Sequence, residues 1–512
     1  MRFPRSAGIL LHPTSLPGAF GIGELGEVAC RFVDFLAESG QSLWQILPLG
    51  PTGYGDSPYA CLSAFAGNPL LISLAGLVAQ GDLDAQDLAQ APAFPQDRVD
   101  FGPVIAFKTA LSRRAAERFR RNASGSRREA FERFCAENAD WLDDYTLFTA
   151  LKEVHGRADW NTWEWELVTR EPRALAHWRE RLDEAVFAER YLQYQFFTQW
   201  EELKRYANAK GIRILGDIPI FVAFDSADVW AHPEVFHLDA SLRPTKIAGV
   251  PPDYFSKTGQ LWGNPLYRWD LMAQSGFAWW IARFRQALRM ADIVRLDHFR
   301  GFAAYWEIAA GEPTAVNGKW VEGPGASFFQ ALEAALGRLA IIAEDLGLIT
   351  PDVQALRDRF EFPGMNILQF AFATEAANPY LPHNLRANSV VYTGTHDNDT
   401  TVGWYRSREA NEKQQIDRYL GPLGEEIHWA LIRTAYRSVA DIAIVPLQDV
   451  LGLGTEARMN APGKFGGNWS WRFRTEELLP QHRDRLLEFV VTYGRKVPPK
   501  EETAEGSAPE TR

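Results

Sequence analysis

Short apolar runs, each closed by a polar residue, Gly or Pro, recur at residues 43–49, 70–74, 212–221, 293–297, 339–344, 366–370, 389–393 and 441–447. Runs of this length with little alternation predict strands buried on both faces. Between many of them apolar positions return with helical spacing, as at 28–39, 278–290, 328–336 and 425–439. Strand and helix in alternation predict parallel βα units of the α/β class, and eight such units predict a (β/α)8 barrel.

Two intervals are too long for a plain βα unit. Residues 75–211 carry a stretch dense in Arg, Ala and Glu at 113–133, then the run Asp159-Trp160-Asn161-Thr162-Trp163-Glu164-Trp165, and predict a mostly helical inserted subdomain. Residues 225–280 are rich in Pro, Gly and aromatics with little periodicity, which predicts long loops at a strand end. After the eighth run the remainder is too short for an additional β-sandwich domain. The expected organisation is one barrel domain over 1–495 with these two insertions, followed by a disordered Pro/Glu-rich tail at 496–512.

Composition narrows the function more than the fold. With 46% apolar and 23% charged residues in 512, the chain is neither disordered nor fibrous. A net charge of −11 without a long Lys/Arg block argues against nucleic acid as a partner. No segment approaches about 18 unbroken apolar residues, and the first residues lack a secretory pattern, so neither a membrane nor export is expected. The three cysteines, Cys30, Cys61 and Cys135, have no paired spacing, which predicts neither disulfide nor thiolate metal site and fits the cytoplasm. Eighteen Trp, 15 Tyr and 32 Phe, many of the Trp beside polar residues, suit sugar rings, although core packing is the commoner use of any one of them.

Gly21-Ile22-Gly23-Glu24-Leu25-Gly26 has the spelling of a dinucleotide fingerprint, but Pro17-Gly18 precedes it in place of a strand, so it reads as a turn into a helix. Nucleophile-elbow, Walker and zinc-protease motifs are missing, and the ten histidines have no metal-ligand spacing. The informative pattern is acids at strand ends: Asp217 after 212–216, Asp297 after 293–296, Glu344 after 340–343, and Asp397 just beyond 390–396. In a parallel barrel all four meet at the C-terminal rim. A helix N-cap or a salt bridge is the plainer reading of any one of them, and four together weaken it. Crowded, poorly solvated carboxylates push one another toward the protonated form, and glycosidic bond cleavage needs one ionised and one protonated carboxyl. Arg295 shares a strand face with Asp297 and favours its ionised form, which makes Asp297 the expected nucleophile. Glu344, with no adjacent cation, is the expected acid/base, and His396 beside Asp397 suits a grip on sugar hydroxyls, with a loop-capping histidine as the alternative.

Arg295-Leu296-Asp297-His298-Phe299-Arg300-Gly301, Ala343-Glu344-Asp345-Leu346-Gly347 and Thr395-His396-Asp397-Asn398-Asp399 resemble the three acid-bearing motifs of the amylomaltases, the 4-α-glucanotransferases of the α-amylase superfamily. The resemblance extends through 216–222, 226–230, 249–256, 259–265, the N-terminal 11–18 and 55–59, and Gly466-Gly467-Asn468-Trp469. It implies that Asp297 is the nucleophile, Glu344 the acid/base and Asp397 the carboxylate that binds the distorted sugar. It also implies that Ser57, Tyr59, Asp217, Arg295 and His396 contact the sugar at the cleavage point, and that Gln260, Trp262 and Asn468 hold neighbouring glucoses. His298 of the first motif joins the expected substrate-binding set, as does Tyr254, which with Gln260 and Trp262 is expected to overhang the acids and exclude water. The implied partners are α-1,4-glucans and malto-oligosaccharides with glucose as acceptor, and neither cofactor nor metal is expected. The same barrel and acids also serve a retaining hydrolase, and the aromatics alone could serve a glucan-binding protein, which three acids together with Arg295 argue against.

Overall fold

The computed structural model describes residues 2–252, 256–372, 376–421, 424–464 and 466–497. Its strands are β1 (Ser6–Leu10), β2 (Leu43–Gln45), β3 (Arg213–Ile218), β4 (Lys246–Val250), β5 (Gln260–Pro265), β6 (Ile293–Leu296), β7 (Ala304–Ala309), β8 (Lys319–Glu322), β9 (Ile341–Ala343), β10 (Gly364–Ile367), β11 (Ser389–Tyr392) and β12 (Ile442–Pro446). Eight of them close a barrel in the order β1-β2-β3-β6-β9-β10-β11-β12, with β12 returning to β1 and every pairing parallel. Strands β1, β2, β11 and β12 are buried at every position, as expected where helices cover the outside and side chains fill the inside.

Six of the eight predicted runs contain a barrel strand, and that at 366–370 overlaps only the end of β10 before a 3-10 turn at Leu368–Phe370. The run at 70–74 contains none: Pro69 opens a short 3-10 turn, and Ser73 accepts from the backbone of Gly76 to cap the helix Leu74–Ala79. Proline's fixed φ and the serine cap take those leucines out of extended conformation. The strand missed is β1, whose Ser-Ala-Gly-Ile-Leu lacks a β-branched pattern. Its glycine is required by close packing, because a Cβ on Gly8 would stand 2.5 Å from Leu43 Cβ and 2.9 Å from Ile444 Cδ1.

Between β2 and β3 the chain is helical, from Leu74–Ala79 through Phe101–Asn122, Gly125–Glu137 and Ala139–Val154 to the long Asp183–Ala209. That last helix also serves the barrel: Trp200 Nε1 donates to the carbonyl of Met290 at 2.9 Å, and Tyr206 OH to Asp34 at 2.7 Å. The interval 225–280, expected to be irregular, instead holds β4 and β5, half of an antiparallel sheet of order β5-β4-β7-β8. Gly249 lies within β4 and Gly263 within β5, which ends at Pro265, and β4 has an irregular register beside β5 at Ile247/Gly249, which hid their periodicity. Residues 21–26 lead into a helix as the sequence indicates, Gly26 preceding the helix Glu27–Glu38. Most tryptophans pack the core: Trp44, Trp160, Trp200, Trp230 and Trp280 are fully buried, and only Trp165, Trp262 and Trp320 are exposed among the described residues. No helix there is long and apolar enough to cross a membrane. Of the expected tail, residues 498–512 lie outside the described residues.

The end of the barrel opposite the acids is closed by Arg495, fully buried, whose guanidinium donates to the carbonyls of Tyr436, Ser6, Asp441, Ala435, Ser438 and Ala440 at 2.7–3.3 Å. It satisfies the carbonyl end of the helix Ile427–Arg437 and ties the starts of β1 and β12. Arg5 also donates to the carbonyls of Tyr436, Ser438 and Ala440, and Ser6 N–H to that of Asp441, so Arg495→Ala removes one donor while most of these carbonyls keep another, and it is expected to lower stability by about 1–3 kcal/mol. A lower urea midpoint with unchanged turnover of the folded fraction is the expected result, and an unchanged midpoint refutes it.

Candidate active site

The acids reach one rim through strand register. Leu296 of β6 pairs with Ala343 of β9, so the next residues, Asp297 and Glu344, stand side by side on strands about 4.8 Å apart. On the other flank of β6, Asp217 of β3 pairs with Arg295. Their side chains project from the same face, and Arg295 Nη1 donates to Asp217 Oδ2. Two residues on, Asp297 Oδ1 accepts from Arg295 Nη2 at 2.6 Å. Arg295 therefore lies between two carboxylates. Tyr59 OH adds a donor to Asp217 Oδ2 at 2.7 Å and lies 3.3 Å from Arg295 Nη1. The Asp217 side chain is 0% exposed and that of Arg295 5%, whereas Asp297 keeps 27%, so Asp297 is the member of this trio open to a ligand.

Glu344 is held by main chain. His298 N–H donates to Oε2 at 2.7 Å and Leu346 N–H to Oε1 at 3.3 Å. His298 adopts φ 52° and ψ 51°, a left-handed conformation uncommon for a residue with a side chain, and its buried ring Nε2 has no protein partner. The strained turn directs one residue's amide at Glu344 and its imidazole into the cleft wall.

Asp397 lies on the loop after β11. Its Oδ1 accepts from Asn460 Nδ2 at 2.6 Å and lies 3.4 Å from His396 Nε2, while Arg458 donates to its carbonyl at 2.5 Å. The His396 ring stacks on Tyr59 with centroids 5.1 Å apart at 16°, and Trp469 lies 5.8 Å from Tyr59 and 5.9 Å from His396. These contacts bring Tyr59, Asp217, Arg295, Asp297, His396 and Asp397 into one network. Ser57 belongs to it through its Oγ, which accepts from Tyr59 N–H at 3.2 Å.

Trp262 is 37% exposed, packs edge-on against the His298 ring at 4.8 Å, and donates to Gln260 Oε1 at 3.1 Å. Both sit on β5, and the contact with His298 places the Trp262 indole beside the residue whose amide holds Glu344. Tyr254 lies outside the described residues. Asn468 Oδ1 accepts from Ala461 N–H and its Nδ2 donates to the Lys464 carbonyl, so it braces the segment from which Asn460 reaches Asp397, and its neighbour Trp469 faces the network. Trp469 was visible in the Gly-Gly-Asn-Trp string, whereas Asn460 and Arg458 carry no local signal and were missed.

Electrostatics depart from the simple expectation of one raised and one ordinary acid. Burial pushes Glu344 up to about 7, against the opposing charge of Arg295 and the His298 amide. Burial also raises Asp297 well above the usual carboxylate range, with Asp217, Glu344 and Asp397 adding to the shift against Arg295. Burial is the first cause, and the charge of Arg295, which Asp217 also engages, opposes it without offsetting it. Burial lowers the His396 imidazole and brings that of His298 to about 3, so both rings are neutral near pH 7. Among the described residues no group of three His, Cys, Asp or Glu is placed to hold a metal ion.

Residues 11–478 match the family model described as 4-alpha-glucanotransferase. The 4-alpha-glucanotransferase of Synechocystis is 54% identical over 497 residues, covering 96% of this chain and 98% of the relative. That of Thermus thermophilus is 54% identical over 494 residues, covering 95% and 98%. The amylomaltase of Streptococcus agalactiae, solved in complex with acarbose, superposes with a TM-score of 0.93 at 40% identity, covering 96% of this chain and 99% of that one. The chain belongs to the 4-alpha-glucanotransferase family.

Proposed function

We propose that this 4-alpha-glucanotransferase cleaves an α-1,4 bond of a malto-oligosaccharide or α-glucan by retaining double displacement and passes the freed segment to the 4-hydroxyl of glucose or another glucan. The observation that carries this reading is the placement of Asp297 and Glu344 on adjacent register positions, which suits the close carboxyl pair of retaining enzymes. Asp297 is open to the cleft and paired with Arg295, and it attacks the anomeric carbon. Glu344 has its proton held by burial and gives it to the leaving oxygen. The leaving sugar departs, and the deprotonated Glu344 takes the proton of the incoming hydroxyl as that oxygen displaces Asp297. Of the two raised acids, Asp297 is the one in direct contact with a cation, so in the working form the proton resides on Glu344.

Asp397, oriented by Asn460 and beside neutral His396, binds hydroxyls of the sugar under attack, and Tyr59 stacked on His396 supplies an aromatic plane there. Trp262 covers the Glu344 side and helps to keep water from the intermediate. A cytoplasmic location is supported by the three cysteines, which are all unpaired.

Maltotriose tests the reaction. Glucose together with longer glucans, all α-linked, marks transfer; shorter sugars alone mark hydrolysis and overturn the proposal. Asp297→Asn and Glu344→Gln should each lower the rate at least about 10³-fold with glucan binding retained. Near-normal transfer by either variant refutes its assignment. Trp262→Ala should raise the ratio of hydrolysis to transfer, measured as new reducing ends against glucose released, and an unchanged ratio removes the water-excluding role.

The raised acid also has a pH signature. As proton donor, Glu344 must be protonated, so kcat/KM should fall as pH rises through about 7. A carboxyl raised on folding contributes stability below its unfolded pKa that is lost as pH rises through the folded one. Glu344→Gln should therefore unfold at nearly the wild-type temperature at pH 4 and at a higher one at pH 8. A variant less stable than wild type at pH 8 contradicts the burial argument.

A further inference from the structure

Two of the three exposed tryptophans lie on the antiparallel sheet, and only Trp262 belongs to the cleft described above. The other, Trp320 of β8, is 36% exposed and faces Trp306 of β7 directly across the strand pair, with ring centroids 5.2 Å apart. The guanidinium of Arg300 lies 3.7 Å over the Trp320 ring and covers one face of the indole. Trp320 lines a groove of about 580 Å³ between β8 and the helices Gly325–Leu336 and Pro351–Arg359. That volume falls within the range of about 300–1,000 Å³ typical of small-molecule sites. Small side chains, among them Ala326 and Ala355, also line it, so its wall is shallow and smooth beside the indole. Glu322, Asp352 and Arg359 complete the lining. All three are exposed, and among the described residues none of them forms a salt bridge.

We propose that this groove is a second α-glucan site, separate from the acids, in which a pyranose stacks on the open face of Trp320 while Glu322, Asp352 and Arg359 bind its hydroxyls. An aromatic plane flanked by carboxylates and a guanidinium matches both aspects of a glucose ring, the apolar C–H face and the equatorial hydroxyl edge. A purely apolar occupant would displace water from the three charged groups without replacing its hydrogen bonds, and a phosphate would meet two carboxylates. The occupant is a length of α-glucan, which rests on the function proposed above. Its place in the fold suits a long chain. Arg300, which backs the indole, also donates to the carbonyl of Leu348, four residues beyond Glu344, so the groove adjoins the loop that carries the acid/base. A polymer can occupy cleft and groove together, whereas maltotriose fills the cleft alone. The groove thereby raises the local concentration of polymeric donor without entering the chemistry.

The test compares polymer binding with small-substrate turnover in the full chain. Glu322→Ala with Arg359→Ala removes hydroxyl partners, and Ala355→Trp fills the groove without touching Arg300; Trp320→Ala removes the stacking plane. Retardation in native gels containing glycogen should weaken about fivefold or more in each variant, with a matching rise in KM for amylose. Maltotriose disproportionation should stay within about twofold of wild type for the double variant and for Ala355→Trp, which stand clear of the Arg300 contact with the acid loop. Wild-type retardation by the double variant and by Ala355→Trp overturns the groove. Failure of the wild-type protein to disproportionate maltotriose overturns the underlying function instead, so the two failures are distinct.

Discussion

One guanidinium organises the rim. Arg295 is the register partner of Asp217 and the same-face neighbour of Asp297, and through Asp217 it reaches Tyr59. Burial alone would lower its pKa, but Asp217, Tyr59, Asp297 and Glu344 together hold it well above the ordinary arginine value. The positive charge is permanent and divided. Because it cannot neutralise every carboxylate nearby, the cluster retains protons near neutral pH, and protonation becomes a property of the group and not of one residue. Tyr59, which donates to Asp217, in turn packs against the His396 ring and Trp469, so that aromatic wall depends on the same charge as the acids.

The barrel separates this chemistry from the interactions that maintain the fold. Acids occupy the ends of β3, β6 and β9 and the loop after β11, while Arg495 joins the opposite ends of β1 and β12 through main-chain carbonyls. The antiparallel sheet is built from the connections on either side of β6. Its β7 follows the turn that contains His298, and its β5 brings Trp262 onto the ring of that same His298. A cluster of Tyr267, Trp269, Trp280, Phe302 and Phe328, with centroids 4.9–6.2 Å apart, fastens the base of the sheet to the barrel helices. The aromatic abundance of the chain thus serves packing first, and the few exposed rings are the ones available to sugar.

Which features were legible follows from the range of the interactions that make them. Asp217, Asp297 and Glu344 could be read because each closes a strand, and barrel geometry converts that position into a shared rim. Strand β1 was obscured by Ala7 and Gly8, chosen for close packing against Leu43 and Ile444 and not for intrinsic β preference. The run at 70–74 was misleading because apolar content alone does not distinguish a strand from a capped helix once Pro69 and Ser73 act. Asn460 and Arg458 reach Asp397 from more than sixty residues away on an irregular segment, where no period or motif announces a partner. The elevation of Asp297, unlike that of Glu344, was equally hidden, since it requires knowing how deeply the carboxyl is buried and that Asp217, Glu344 and Asp397 all lie near it.

The left-handed turn at His298 has a consequence for how this site can evolve. Its amide steadies Glu344, and its imidazole supports Trp262, so two duties are vested in a single position. Glycine would relieve the backbone but remove the ring, and a β-branched replacement would keep bulk while resisting the required φ. Improvement by small independent steps is therefore closed at this point, and a lineage that reshapes the Trp262 side of the cleft must rebuild the neighbouring sheet while leaving this residue in place.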